Sequence, residues 1–241
     1  MEVKPYHQEG SKKAQVGQMF DNIAPKYDLL NRVLSMGIDV QWRKRMMQEL
    51  RKTGPQRILD VATGTADVAL QTAKTLEPRT IIGVDLSNEM LRVGREKVKK
   101  QGLSEVITLE QGDSEELRFA DDSFDAVTVA FGVRNYENLE RGLREMLRVL
   151  KPGGKIAILE FSKPKAFPFR QLYNFYFRHI LPTIGRLTSK DPRAYTYLYE
   201  SVQAFPDGTD FLREMENAGY VQTKQIPLTL GISSIYVGNK A

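Results

Sequence analysis

Between Arg57 and Ser162 the sequence places five short apolar runs, "RILDVATG", "TIIGVD", "VITLEQGD", "FDAVTVAFG" and "GKIAILEFS", each closing on Gly, Asp or Ser. Segments of helical period, "DVALQTAKTL", "SNEMLRVGREKVKK" and "NLERGLREMLRVL", lie among them, with Ser87 placed as the N-cap of the second. A helical crossover returns the chain to the same end of a sheet, so strands joined this way pair in parallel and are covered on both faces. The tail follows another rule. "GYVQTKQIPL" and "ISSIYVGNK" have no helix between them, which predicts an antiparallel hairpin closing the sheet. The seven runs together predict an α/β fold with a mostly parallel, seven-stranded sheet.

Upstream, "AQVGQMFDNIAPKYDLLNRVLSMG" reads as helical pieces broken near Pro25, and "DVQWRKRMMQEL" as a helix turning Trp42, Met46, Met47 and Leu50 inward. A chain of 241 residues, 41% hydrophobic, suffices for one such domain with additions. The expected division is a helical cap over about 12–52, a binding core over about 53–160, a helical insertion over about 161–206, and a last helix and hairpin over about 207–241. No apolar signal region and no long apolar window occurs, so the expectation is a cytoplasmic protein. Cysteine is absent and the histidines are His7 and His179, so a thiolate nucleophile is excluded and a metal site built from Cys or His lacks ligands. The expectation is no metal.

In "LDVATGTAD" a strand runs into Gly64 and then a helix, and a ligand outside the carboxyl ends of parallel strands needs such close backbone approach. Asp85 follows 21 residues later at the end of "TIIGVD", where a carboxylate can accept both hydroxyls of a ribose. The alternative is a plain turn and a helix cap. The fingerprint for a dinucleotide is broken, because Gly64 is followed by Ala66 and Ala69. In "QGDSEEL" the third strand brings Asp113 and Ser114 to the same edge, where a carboxylate and a backbone N–H can read an adenine.

"LDVATGTAD", "GVDLS", "GDSEEL" and "LKPGG" together resemble the Rossmann-like class I S-adenosylmethionine-dependent methyltransferases. "MFDNIAPKYDLLN", "AFGVRNYENL" and "YTYLYESVQAFP" narrow the resemblance to the ubiquinone/menaquinone biosynthesis C-methyltransferases, over about residues 13–237. The resemblance implies S-adenosyl-L-methionine as methyl donor, a polyprenylated quinol as acceptor, and conversion of demethylmenaquinol to menaquinol or the same step on a benzoquinol. It implies cofactor contacts at Gly64, Thr65, Asp85, Asp113 and Ser114. Where some members carry Ser, this chain has Ala130. Competing readings are an RNA methyltransferase of the same fold, with no nucleic-acid motif to support it, and a non-catalytic cofactor or lipid-binding module.

A quinol carbon becomes nucleophilic when the adjacent phenol, with a pKa of about 10, loses its proton. In "FGVRN" Arg134 can set a permanent cation beside that oxygen, with Asn135 next to it. At about 4 Å and an effective dielectric near 20 the pair is worth up to ~4 kcal/mol before desolvation. Holding carbon and methyl in line can supply more, up to ~7–11 kcal/mol. A purely structural Arg134 would instead bridge to Glu137 or Glu140. The proton's destination stays open among His179, Tyr195, Tyr197, Tyr199 and water.

"FPFRQLYNFYFRHIL" sets Phe169, Leu172, Tyr173, Tyr176, Phe177, Ile180 and Leu181 on one helical face, with Arg170, Asn174 and Arg178 opposite. From Phe161 to Lys190 no acidic residue occurs, whereas Lys163, Lys165, Arg170, Arg178, Arg186 and Lys190 are basic. The segment is expected to cap the acceptor pocket, aromatics toward the isoprenoid tail and basic residues toward anionic head groups of the membrane's inner face. Homo-oligomerisation stays open. Replacing Arg134 by Lys keeps the charge and loses the planar fork. Turnover should fall while S-adenosylmethionine affinity, measured by calorimetry, stays near wild type; unchanged turnover would remove Arg134 from the chemistry.

Overall fold

The computed structural model describes residues 3–6, 9–176, 178, 191 and 193–241, the side chains of Leu30, Val33, Leu34 and Leu172 excepted. Among these residues, seven strands form one sheet in the order β3-β2-β1-β4-β5-β7-β6. Strands β1 (Arg57–Val61), β2 (Thr80–Asp85), β3 (Ile107–Gln111), β4 (Phe124–Ala130) and β5 (Leu150–Phe161) run parallel. Strands β6 (Val221–Leu228) and β7 (Ser233–Asn239) form the expected hairpin, and β7, the second to be made, inserts beside β5. The "LKPGG" turn lies within β5, where the register with β4 shifts by several residues.

The cap consists of α1 (Lys12–Ile23), a 3-10 turn at Ala24–Lys26 containing Pro25, α2 (Tyr27–Leu34) and α3 (Ile38–Arg51). Proline at the start of that turn ends one helix and opens the next. Trp42, Met46, Met47 and Leu50 of α3 are all buried, as their spacing requires. Crossover helices α4 (Asp67–Leu76), α5 (Asn88–Lys100) and α6 (Leu139–Val149) cover the sheet. Ser87 caps α5 through a bond from Met90 N–H at 3.1 Å, and Asn138 caps α6 through Arg141 N–H at 2.9 Å. Helices α7 (Phe169–Phe175), α8 (Arg193–Ala204) and α9 (Thr209–Ala218) complete the described elements.

The two faces of the sheet have separate cores. One joins Leu59, Phe124, Leu143, Met146, Phe211 and Tyr236, the other Met46, Met47, Ile58, Ile81 and Leu91 with residues of α3, α4 and α5. A third cluster, Val16, Met19, Tyr173, Ala194, Tyr195 and Tyr197, joins α1 to α7 and α8 above the carboxyl ends of the strands. Among the described residues no helix is long and apolar enough to cross a membrane.

Candidate functional site

The carboxyl ends of β1, β2 and β4 open onto a cleft. Asp85, at the end of β2, is held by Gly64 N–H on one carboxylate oxygen at 2.8 Å and by Ser87 N–H on the other at 2.9 Å. Gly64 directs its N–H there from a left-handed backbone at φ +54°. Each Asp85 oxygen retains acceptor capacity toward the cleft. Burial raises its pKa above the ordinary carboxylate value, and the two backbone donors oppose that shift. Ser114, Ala130 and Asn135 line the same cleft.

Two expected contacts are already engaged. Asp113 receives Lys13 Nζ of α1 at 2.6 Å and Glu115 N–H at 2.9 Å. The hydroxyl of Thr65, 2% exposed, bonds to Asp28 of α2 and accepts from Lys97 Nζ at 3.1 Å, outside the cleft lining. The same lysine reaches Asp67, which also meets Arg43 at 3.2 Å. Thr65 thus fastens the glycine turn to the cap. Helix α1 is anchored again by Lys12, whose Nζ donates to the carbonyls of Tyr136 at 2.7 Å and Arg134 at 3.3 Å.

A second, larger cavity lies beside the first. Its wall includes Met19, Trp42, Phe161, Phe169, Tyr173 and Tyr197, and it is mostly apolar. Phe20, Tyr27 and Phe131 border both spaces. Phe131 holds φ at +58° and Ala62 at +53°, unusual for residues with a Cβ and of order 1–3 kcal/mol in strain each. The 3-10 turn Val133–Asn135 divides its side chains between the cavities: Asn135 lines the first, Arg134 the second. Both are 8% exposed or less at the side chain or residue level, and Asn135 Oδ1 is buried with no hydrogen-bond partner among the described residues.

Arg134 does not bridge to Glu137 or Glu140. Its Nη1 pairs with Glu160 at 2.8 Å and donates to the Phe131 carbonyl, while its guanidinium lies 5.5 Å from the centre of the Phe161 ring. Glu137 instead accepts the Lys12 N–H, and Glu140 pairs with Arg144. The cation near the larger cavity is therefore compensated.

A model of the ubiE/COQ5 methyltransferase family matches residues 8–240. A demethylmenaquinone methyltransferase of Bacteroides fragilis is 49% identical, with 99% of this chain and 97% of the relative covered. This chain belongs to the ubiE/COQ5 methyltransferase family. A ubiquinone/menaquinone biosynthesis C-methyltransferase UbiE of Geotalea daltonii is 47% identical over 95% of this chain and 97% of its own. With the family comes the reaction class, S-adenosylmethionine-dependent methylation of carbon in quinone biosynthesis. Among solved structures, a possible histamine N-methyltransferase of Thermotoga maritima superposes with TM-score 0.65 over 93% of this chain and 99% of its own, at 18% identity. The [4+2]-cyclase SpnF superposes at 0.63 over 95% and 96%, again at 18% identity. A cyclase on this fold shows that architecture alone does not choose the reaction.

The first cavity fits S-adenosylmethionine: Asp85 is fixed with acceptor capacity to spare, and Asn135 Oδ1 lacks a partner among the described residues. The sequence pattern located Gly64, Asp85 and Ser114 in this lining, and missed Lys13 and Tyr27 there and Glu160 behind Arg134. Glu160 had a signal, a carboxylate inside the apolar run "IAILEF", where burial demands a cationic partner. Beneath the turn, Asp60 is 1% exposed and accepts Thr63 Oγ1 at 2.6 Å and Thr128 Oγ1 at 2.7 Å. Burial pushes its pKa up to about 6, and the two hydroxyls only partly oppose it. A raised carboxylate binds its proton more tightly when folded, so its stabilising contribution is full below the unfolded value near 4 and is lost as pH rises through about 6. The urea stability of wild type minus that of Asp60→Asn should therefore decline by about 2 kcal/mol between pH 4 and pH 6.5; a flat difference would place the proton elsewhere.

Proposed function

We propose that this enzyme methylates the ring carbon of demethylmenaquinol to give menaquinol, with the donor in the smaller cavity and the polyprenylated acceptor in the larger. The observation that carries this reading is the turn Val133–Asn135, which sends adjacent side chains into two cavities that share Phe20, Tyr27 and Phe131. The acceptor's ring would lie where those walls meet, with its tail along the apolar lining. Trp42, Phe131 and Phe161 give that lining flat surfaces, with Phe131 and Phe161 centroids 4.6 Å apart.

S-adenosylmethionine supplies a methyl group already activated by its sulfonium charge. Gly64, Asp85, Ser114 and Asn135 would hold it, Asp85 at the ribose hydroxyls. Asp113 would take the adenine amine in exchange for Lys13. Thr65 supports the turn from behind through Asp28 and Lys97. Arg134 donates to the acceptor hydroxyl and favours its anion, and because Glu160 compensates its charge the electrostatic gain falls below the ~4 kcal/mol of an isolated pair. Alignment of carbon and methyl supplies the larger share. Tyr195 and Tyr197 border this cavity; Tyr199 is absent from its lining, and His179 lies outside the described residues.

The acceptor's tail resides in a bilayer, and the surface of α7 supports peripheral attachment. Tyr173 is buried and Phe169 and Tyr176 line the cavity, whereas Phe167 and Phe175 are 81% and 59% exposed beside exposed Lys165, Arg170 and Arg178. Lys163 belongs elsewhere, paired to Asp207 at 2.9 Å. Phe177, Ile180, Leu181, Arg186 and Lys190 lie outside the described residues.

Incubation with methyl-labelled S-adenosylmethionine should label reduced demethylmenaquinone, read by mass spectrometry. Label only in a ubiquinone-pathway benzoquinol would change the ring, label in bulk RNA would change the substrate class, and no label would leave a binding module. Each exposed basic residue near an anionic leaflet contributes about 1 kcal/mol. Flotation should recover more protein with anionic than neutral vesicles at low salt, and equal recovery at low and high salt would remove the electrostatic attachment.

A further inference from the structure

Glu160 is fully buried, yet it follows the apolar run Ile156–Leu159 near the carboxyl end of β5. Three donors converge on it. Oε1 accepts Arg134 Nη1 at 2.8 Å and Phe161 N–H at 2.9 Å, while Oε2 accepts the Arg134 backbone N–H at 3.4 Å. The carboxylate thereby grips both the head and the main chain of the residue that faces the acceptor. Arg134 Nε is buried with no hydrogen-bond partner among the described residues, so the fork is not saturated from behind.

We propose that Glu160 is a positioning residue for methyl transfer, holding Arg134 at the acceptor cavity and limiting, through its own charge, how strongly that guanidinium favours an anion there. The inference rests on the placement of the acceptor in the larger cavity. An isolated cation in an apolar cavity would bind an anion tightly and a neutral lipid-tailed quinol poorly, whereas a compensated pair can donate a hydrogen bond without demanding a permanent counter-ion. Glu160 makes the second arrangement.

Other charges near the pair do not supply this control. Tyr27 from α2 and Tyr173 from α7 feel the Arg134 charge, but burial holds both phenols above their ordinary value and they stay neutral through neutral pH. Tyr176, Tyr195 and Tyr197 border the same cavity. At the far wall Arg43 is matched by Asp39 at 2.6 Å, and Asp207 is matched by Lys163. Of these groups, Glu160 alone contacts the Arg134 guanidinium with a carboxylate.

The test compares Glu160→Gln, which keeps an acceptor oxygen and loses the charge, with Glu160→Asp, which keeps the charge and withdraws it by one methylene. The first readout requires no turnover: 4-chloro-1-naphthol, whose ionisation is visible in its ultraviolet absorbance, is titrated when bound to each protein. In Glu160→Gln the bound naphthol should ionise about one pH unit lower than in wild type, a tenfold change in its acid constant. In Glu160→Asp its ionisation should match wild type. The second readout is the pH dependence of kcat with reduced demethylmenaquinone. Its acid limb should move down by about one unit in Glu160→Gln and stay in place in Glu160→Asp, with the plateau at least tenfold lower in both and S-adenosylmethionine affinity unchanged.

A Glu160→Gln protein that folds with wild-type naphthol ionisation and an unmoved acid limb would overturn the proposal. Should that variant not fold, Glu160→Asp decides: a wild-type plateau overturns positioning, and a lowered plateau with an unmoved limb supports it. Failure of wild type to methylate the quinol would overturn the acceptor assignment itself, which separates the two outcomes.

Discussion

The reversal of strand order between β1 and β4 is the constraint from which the site follows. The chain builds outward from β1 through β2 to β3, then returns to place β4 on the other side of β1. Crossovers on the two sides leave the sheet in opposite directions, so a crevice opens where their carboxyl ends part. Gly64 and Asp85 reach it from one half, and Phe131, Arg134 and Asn135 from the other.

The cap converts that crevice into enclosed space, and it is attached as much by charge as by apolar contact. Lys12 and Lys13 fasten α1 to the β4 loop and the β3 edge, while Asp21 accepts the Ser87 hydroxyl at 2.6 Å. Asp28, Lys97, Asp67 and Arg43 tie α2, α5, α4 and α3 together around Thr65. Half-buried ion pairs of this sort contribute modestly to stability because desolvation offsets much of their attraction, but they define a geometry that interchangeable apolar side chains would leave loose. Met19, Phe20 and Ile23 enter the wall of the larger cavity from the same α1 that carries Lys13 to the smaller one.

Much of this was legible in the chain because local rules govern it. Strand and helix periods gave the sheet, Ser87 its cap, and the break at Pro25 the division of the cap helices. Gly64, Asp85 and Ser114 could be found because a parallel sheet gathers its strand ends into one edge. Arg134's partner could not, since Glu160 is 26 residues away and its proximity depends on the parallel pairing of β4 with β5. A search confined to the neighbouring helix offered Glu137 and Glu140. The partner of Thr65 was hidden for a related reason: its hydroxyl bonds to Asp28, 37 residues upstream. The aromatic face of α7 was readable by period, but no period distinguishes a cavity wall from an outer surface.

Phe20, Tyr27 and Phe131 belong to two rooms at once, and a partition common to both cannot answer to only one occupant. With donor and quinol placed as proposed, any rearrangement of these rings that accompanies entry of the one reshapes the space for the other. Thermodynamic reciprocity then requires the quinol to change the donor's affinity by the same factor.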